Sequence, residues 1–488
     1  MSFAVGDIVE HTEFGPGKVK EVLGSIVVVD FYGVCIECDI NDLESKEPFS
    51  PEVTCSTSLS GNNRMAFRKG FEAVNLGVVP PDFSSLVKMS IEGDVVERKT
   101  RYNLDRANIS GLCKVVFGDY GSGKSHYLHL VMNIALQAGW VVSYLEFDPK
   151  AVDPAKPHLV YREIISKLKF PKREDGTASQ NFRDFIKEIK KRWMDVRDLP
   201  YLKKNPWYRY GLETLKFFPH NDDPDYASAC DWLAGQPVQI TGPGSMRSLT
   251  KQTNINPRLI PNMPKVRETG EIYAYHLVVF NQICQALGYN GLLIILDEAE
   301  HVRGYSVRRR ERANNFLDLL SRSSHLPTVD SPPILNDHGY EFPKFWNHGP
   351  HFGLYVGLTE GNTFEDTSLS LRDACVFLHS ESDRILLQPP DRRDYENWCF
   401  NLFSGFHEHY PDKTEVISAE PSRKKIARAL GDEFERNKGS ALAIRAWVKL
   451  ACLVPSVILV RDSVSVEELV SVIGKAVSEL AGMNMPWE

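Results

Sequence analysis

One octet, Gly118-Asp119-Tyr120-Gly121-Ser122-Gly123-Lys124-Ser125, limits what this chain can fold into more than any other stretch. Its spacing, a glycine, four residues, then Gly-Lys and Ser or Thr, is that of a phosphate loop. An apolar run from Leu112 to Phe117 precedes it and predicts a buried strand. Leu128, Val131, Ile134 and Ala135 follow at helical spacing. Strand, glycine-rich turn and helix are the context that makes the octet more than a chance match in a surface loop. In that context the backbone N–H groups point at a phosphate, and the helix N-terminus adds partial positive charge. Lys124 can reach the outer phosphates and Ser125 can hold Mg²⁺. A side chain at Gly121 or Gly123 would block the backbone's approach to the ligand.

A second stretch, Gly291–Glu298 (GLLIILDE), predicts a buried strand with two carboxylates at its C-terminal end. Ligands collect at such strand ends in a doubly wound sheet. Asp297 is expected to hold Mg²⁺, directly or through water, and Glu298 to orient or deprotonate an attacking water. Triphosphate hydrolysis needs this division, because the metal neutralises the β- and γ-phosphates while a base stands near the γ-phosphate. A nearly all-apolar run at 140–147 (WVVSYLEF) reads as a further parallel strand. Residues 352–359 (FGLYVGLT) and the shorter Arg384–Leu387 complete the sheet. Thr359 at a strand end senses the γ-phosphate or the lytic water, or else starts a turn. Arg372 lies between these strands and is a candidate arginine finger toward a neighbouring subunit's nucleotide.

The remaining sequence surrounds this α/β core. Residues 1–50 hold short strands around a Gly15-Pro16-Gly17 turn and read as a small β-barrel, a docking module or a stabilising appendage. Cys35 and Cys38 form a lone CxxC; a zinc site needs four ligands, so they read as strand residues. Residues 51–63 read as a linker, 64–390 as the nucleotide domain and 391–488 as a C-terminal helical lid. Ser465 and Glu468 form a capping box for the last helix. An insertion at about 171–265 interrupts the domain. Its Lys187–Tyr210 stretch interleaves basic residues with Trp193, Tyr201, Trp207 and Tyr208. That pattern could stack bases or pack a helical core of its own, and Asp184, Glu188, Asp195 and Asp198 dilute its charge. Arg303, Arg308, Arg309, Arg310 and Arg312 directly follow the acidic pair and suit a phosphate backbone or a subunit interface.

With 42% hydrophobic and 25% charged residues, the composition is that of a globular protein. No apolar stretch is long enough to span a bilayer, and the N-terminus lacks a secretory pattern. Nine scattered cysteines suit a reducing compartment, so a cytoplasmic location without membrane contact is expected. The net charge of −7 restricts any nucleic-acid contact to a local patch.

Several longer stretches carry a resemblance: RKGFEAVNLGVVPP before the sheet, GDYGSGKSHYLHLV at the loop, FDPKAVDPAKPHLVYREII after the second strand, DWLAGQPV in the insertion and YNGLLIILDEAEHV at the acidic strand. From about Arg64 to Arg445 the chain resembles the BREX-system ATP-binding proteins, P-loop ATPases of bacterial anti-phage defence islands. The resemblance implies an AAA+-like fold, ATP and Mg²⁺ as ligands, ATP hydrolysis, and partners among the other defence proteins. Double-stranded DNA and further copies of the chain are additional candidate partners. By position, Gly118 to Ser125 and the following His126 would bind nucleotide, and Asp297 and Glu298 would serve metal and hydrolysis. A helical cap in AAA+ proteins usually lends an arginine to the γ-phosphate. Arg445 has the right order in the chain, although GSALAIR lacks the expected Pro-Arg pair. The N-terminal pattern VGDIVEHTEFGPGKVKEV resembles Tudor-like barrels appended to some superfamily-one helicases and to a bacterial RNA-polymerase-binding regulator.

Overall fold

The computed structural model describes residues 8–11, 15–23, 26–31, 34–39, 43–45, 61–80, 90, 93–118, 121–172, 179–216, 224–236, 269–324, 352–359, 383–388, 390–437, 444–461 and 463–482. Asp119, Tyr120 and Arg372 lie outside them, as do segment 46–60 and the Pro/Gly/Ser-rich stretch beyond residue 236. The chain divides into two compact units, residues 1–64 with 380–382, and the rest.

The first unit holds β1 (Ile8–His11), β2 (Gly15–Leu23), β3 (Ile26–Phe31), β4 (Val34–Asp39) and β5 (Leu43–Ser45). They form one antiparallel sheet in the order β4-β3-β2-β1-β5. Valines 9, 19, 27 and 29 are fully buried. Cys35 and Cys38 both belong to β4, which pairs with β3.

The second unit is built on a mixed sheet. Its strands are β6 (Cys113–Gly118), β7 (Val141–Glu146), β8 (Leu168–Lys169), β9 (Leu292–Asp297), β10 (Gly353–Thr359) and β11 (Arg384–Leu386). The order is β11-β6-β10-β9-β7-β8, and every pairing is parallel except that of the edge strand β8. Strand β10 therefore lies between the glycine-loop strand β6 and the acidic strand β9.

Helices cover both faces, which is why the central strands are apolar on both sides. Side chains alternate across a strand. Accordingly Leu293 and Ile295 of β9 join one buried cluster, while Leu292, Ile294 and Leu296 join another. The first cluster includes Leu104 and Ala107 of a helix at Gly93–Ser110, and Leu128, Val131 and Ile134 of the helix at Lys124–Gln137. The second includes the helices Pro157–Ser166, Thr269–Ala286 and Val307–Ser324.

The insertion's short helices belong to that second cluster. They run Phe182–Lys191, Trp193–Val196, Pro200–Lys204, Pro206–Leu215 and Pro224–Leu233. Asparagine side chains cap two of them, Asn181 accepting from Asp184 N and Asn205 from Tyr208 N. Trp207 and Tyr208 are buried, and Trp193 and Tyr201 pack half-buried against the same core. Neither a base-stacking surface nor a core of the insertion's own is what these aromatics form: they pack into the core shared with the sheet, Tyr208 bonding Tyr161 and both Trp207 and Tyr208 lying against His276.

At the C-terminus, helices Arg392–His409, Glu420–Arg436, Ile444–Val460 and Val466–Gly482 share a third cluster. Ser465 N donates to Glu468 Oε2 at 2.7 Å and Glu468 N returns to Ser465 Oγ at 3.2 Å, the reciprocal bonds of a capping box. The helix Gly61–Leu76 contributes Phe67, Phe71 and Val74 to this cluster, and Phe67 stacks on His409 at 4.2 Å. A helix that precedes the sheet in sequence thus buries its apolar side among helices that follow it. Among the described residues no helix is long and apolar enough to cross a membrane.

Candidate functional site

The glycine loop leaves β6 at Gly118 and enters the Lys124–Gln137 helix. Gly121 and Gly123 have φ of 80° and 92°, in the left-handed region where a side chain is strained. Gly118 keeps the loop close for a different reason: a Cβ there would crowd Ser122 Oγ and come within 3.3 Å of Leu387 Cβ. Lys124 is only 8% exposed and donates from Nζ to Gly118 O at 2.9 Å. His126, expected beside the nucleotide, has its Nε2 within 2.6 Å of Ser90 Oγ.

Asp297 ends β9 and is 1% exposed. A carboxylate so buried needs donors. Tyr144 on the neighbouring strand β7 donates its hydroxyl to Oδ2 at 2.7 Å, and Glu298 N donates to Oδ1 at 2.9 Å. The Ser125 side chain lies near the same hydroxyl. Ser125 and Asp297, the two metal candidates, are therefore both near one phenol, which is bonded to Asp297. Burial, reinforced by the Asp297 charge, pushes that phenol far above its ordinary range. Strand β10 makes room for the carboxylate with Gly357, where a Cβ would lie 2.7 Å from Asp297 Oδ1 and 2.9 Å from Leu128 Cδ1.

Glu298 has φ 58°, the one non-glycine left-handed residue among those described. Such backbone is strained in a side-chain-bearing residue and turns the chain sharply into a short 3-10 helix, Ala299–Gly304. Its Oε2 lies 3.1 Å from His301 Nε2. Glu146, in register with Asp297 across β7, has its carboxyl raised by burial and then by the charges of Glu298 and Asp297. Thr359 ends β10 in register with Gly118 and donates its hydroxyl to Glu300 Oε1. The other oxygen of Glu300 is buried with no hydrogen-bond partner. Glu300 was not singled out from the sequence; the third acid in LDEAEH is its signal. The strand order thus gathers the loop, Thr359 and the acidic pair at one end of the sheet.

The arginines separate into distinct roles. Arg309 donates from Nη2 to Pro149 O at 2.7 Å and pairs with Asp153 at 3.0 Å, a carboxylate that is 1% exposed. Its guanidinium also lies 3.8 Å over the Tyr305 ring. Arg310 bonds Tyr305 O, while Arg308 and Arg312 are exposed on the helix surface. Arg445 is exposed too, and its stem lies against Gly77 at the end of the Gly61–Leu76 helix, where a Cβ would come within 3.2 Å.

Residues 68–205, which include the glycine loop, match the family model of the BREX system ATP-binding protein BrxC/D. No curated protein matches the chain.

Proposed function

We propose that this chain binds ATP with Mg²⁺ and hydrolyses it as a component of a prokaryotic phage-defence system, acting as a motor or switch on partner proteins of that system. The observation that carries the reading is the convergence of three strand ends: the Lys124 loop after β6, Asp297 and Glu298 after β9, and Thr359 between them on β10. The family matched over the loop segment points to ATP and to defence.

The residues present fit a nucleotide. The backbone at Gly118, Gly121 and Gly123 carries no side chain to obstruct a phosphate, and Asp119, Tyr120 and Ser122 are the remaining residues of the motif assigned to nucleotide binding. Lys124 supplies the cation for the outer phosphates, and His126 flanks the loop. The residues also fit a small hard cation, since Mg²⁺ takes one or two protein oxygens alongside substrate phosphates; Ser125 and Asp297 are those oxygens. When bound, Mg²⁺ neutralises charge on the β- and γ-phosphates. Glu298 accepts the proton of the attacking water, and Thr359 with Glu300 orients that water. The helical cluster at the C-terminus is the AAA+-like lid. Arg372 is the finger toward a neighbouring copy, and Arg445 is the lid arginine, reached from its place on Gly77. Exposed Arg308 and Arg312 are the contacts for double-stranded DNA, and the N-terminal sheet, as a Tudor-like barrel, docks a partner.

One contact favours a second reading, a slow nucleotide-dependent sensor or scaffold that gates a partner effector without motor activity. His301 holds the Glu298 carboxylate, so the base is restrained until something draws His301 away. The deciding experiment compares ATP hydrolysis by wild type and Glu298→Gln, with and without double-stranded DNA, alongside mass in solution with ATP. Nucleotide binding with hydrolysis reduced about 10²–10⁴-fold in the variant is expected. Absence of ATP binding by wild type refutes the reading, and unchanged turnover in Glu298→Gln refutes the role of Glu298. A monomer with slow turnover under every condition selects the sensor.

A further inference from the structure

Tyr144 belongs to neither nucleotide motif. It sits on β7, opposite Ile295 of β9. Its ring packs at a tilt against His129, centroids 4.3 Å apart, one turn beyond Ser125 on the same helix. Burial, then the nearby Lys169 charge, lowers the His129 ring to about 4, so the phenol is backed by a neutral imidazole at pH 7. The hydroxyl has one proton and that proton goes to Asp297 Oδ2. The Ser125 side chain lies near the same phenol oxygen, which, with its proton given to Asp297, can only accept.

This arrangement holds the carboxylate that faces a cation. Asp297 is held on one side by Tyr144 and on the other by Glu298 N, with Gly357 and Leu128 as walls.

We infer that Tyr144 is the positioning residue that sets divalent-cation affinity at the Ser125–Asp297 pair. The inference rests on the Mg²⁺–nucleotide reading above. Groups that hydrogen-bond a metal's ligands typically contribute about 10–100-fold to metal affinity.

The test uses the full chain and Tyr144→Phe, which keeps the ring and its packing on His129. Mn²⁺ is the probe, followed by electron paramagnetic resonance with a saturating non-hydrolysable ATP analogue. Affinity for the same analogue is measured separately in EDTA. Tyr355→Phe, a buried tyrosine on β10, serves as the fold control, and circular dichroism checks both variants. The expected result for Tyr144→Phe is Mn²⁺ affinity weaker by about 10–100-fold, with analogue affinity in EDTA unchanged. Unchanged Mn²⁺ affinity overturns the inference. Tighter Mn²⁺ binding overturns it as well, because the hydroxyl would then compete with the cation. An equal loss in Tyr355→Phe overturns it by assigning the effect to general loosening of the sheet. If wild type binds no nucleotide under either condition, the ATP reading itself falls; if wild type binds and only the Tyr144 difference is missing, the ATP reading stands and this inference alone fails.

Discussion

His276 offers a sharp test of the core behind the acidic strand. It lies on the Thr269–Ala286 helix, 5% exposed, with its ring 5.4–5.7 Å from Tyr161, Trp207, Tyr208 and Tyr273. Its Nε2 has no hydrogen-bond partner, and burial lowers the ring to about 3 from its ordinary 6.5. A folded-state value below the unfolded one means that the unfolded chain takes up the proton first. Stability is therefore fully present above pH 6.5 and is lost as pH falls through that value, with the loss complete near pH 3. The whole gap, 6.5 minus about 3, is worth about 5 kcal/mol at 1.36 kcal/mol per pH unit. By pH 5 the unfolded imidazole is nearly all charged while the folded one stays neutral, and the loss is about 2 kcal/mol. The perturbation is His276→Phe, which keeps a ring in the aromatic surround and removes the titration. Urea unfolding at pH 8 and pH 5, read by tryptophan fluorescence, to which Trp207 and Trp232 in the same aromatic surround contribute, gives the comparison. Wild type is expected to lose about 2 kcal/mol more than the variant between the two pH values. Other titrating groups cancel in that difference. Equal losses, or a nuclear magnetic resonance titration of His276 centred near its ordinary value, would refute the buried-neutral account.

Two further perturbations address the site and its surroundings. Gly357→Ala puts a Cβ against Asp297 Oδ1 and Leu128; a thermal melt should show a loss of about 1–3 kcal/mol, and a Mg²⁺ titration of hydrolysis should shift to higher concentration. An unshifted titration would mean that the carboxylate has room to move. Arg309→Ala removes a charged donor from buried Asp153 and should cost about 1.5–3 kcal/mol in urea unfolding at pH 7. By contrast, Arg308→Ala and Arg312→Ala, on exposed positions, should leave stability within about 0.5 kcal/mol. If DNA is bound there, each should lower the slope of log affinity against log salt by about one.

The features legible in the sequence were those carried by short contiguous runs. Continuous apolar segments located β6, β7, β9 and β10 to within about a residue, because strands buried on both faces carry little else. Tyr144 and Gly357 were not legible. Each looks like ordinary strand filling, and each acquires meaning only from register across the sheet, where residues far apart in sequence become neighbours. The arginine run shows the same limit. Its composition announced charge, but only the packing separates Arg309, bound to buried Asp153, from Arg308 and Arg312 at the surface. The Gly61–Leu76 helix was readable as a helix, yet nothing local in it names the C-terminal cluster as its partner.

The insertion, which looked like an interruption, is tied to the acidic strand by a continuous set of bonds. Arg192, between its first two helices, donates to Leu287 O and Ala286 O at 2.8 and 2.9 Å. Those are carbonyls at the end of the Thr269–Ala286 helix, where a cation both satisfies orphan acceptors and complements the helix dipole. Tyr289 just beyond donates to Glu188 of the insertion at 2.9 Å. From the same helix, Asn281 Oδ1 accepts Leu292 N at 2.7 Å and so pins the start of β9. Gly291 lets that bond form: at φ 148° it turns the chain there, and a Cβ would lie 2.7 Å from Trp140 and 2.9 Å from Asn281 Oδ1. Strand β9 then runs, fully buried, to Asp297. Displacing the insertion therefore means either breaking the Arg192 and Tyr289 bonds or moving the helix that fixes where β9 begins. Because a packed, buried strand has no slack along its length, the second course carries Asp297 with it.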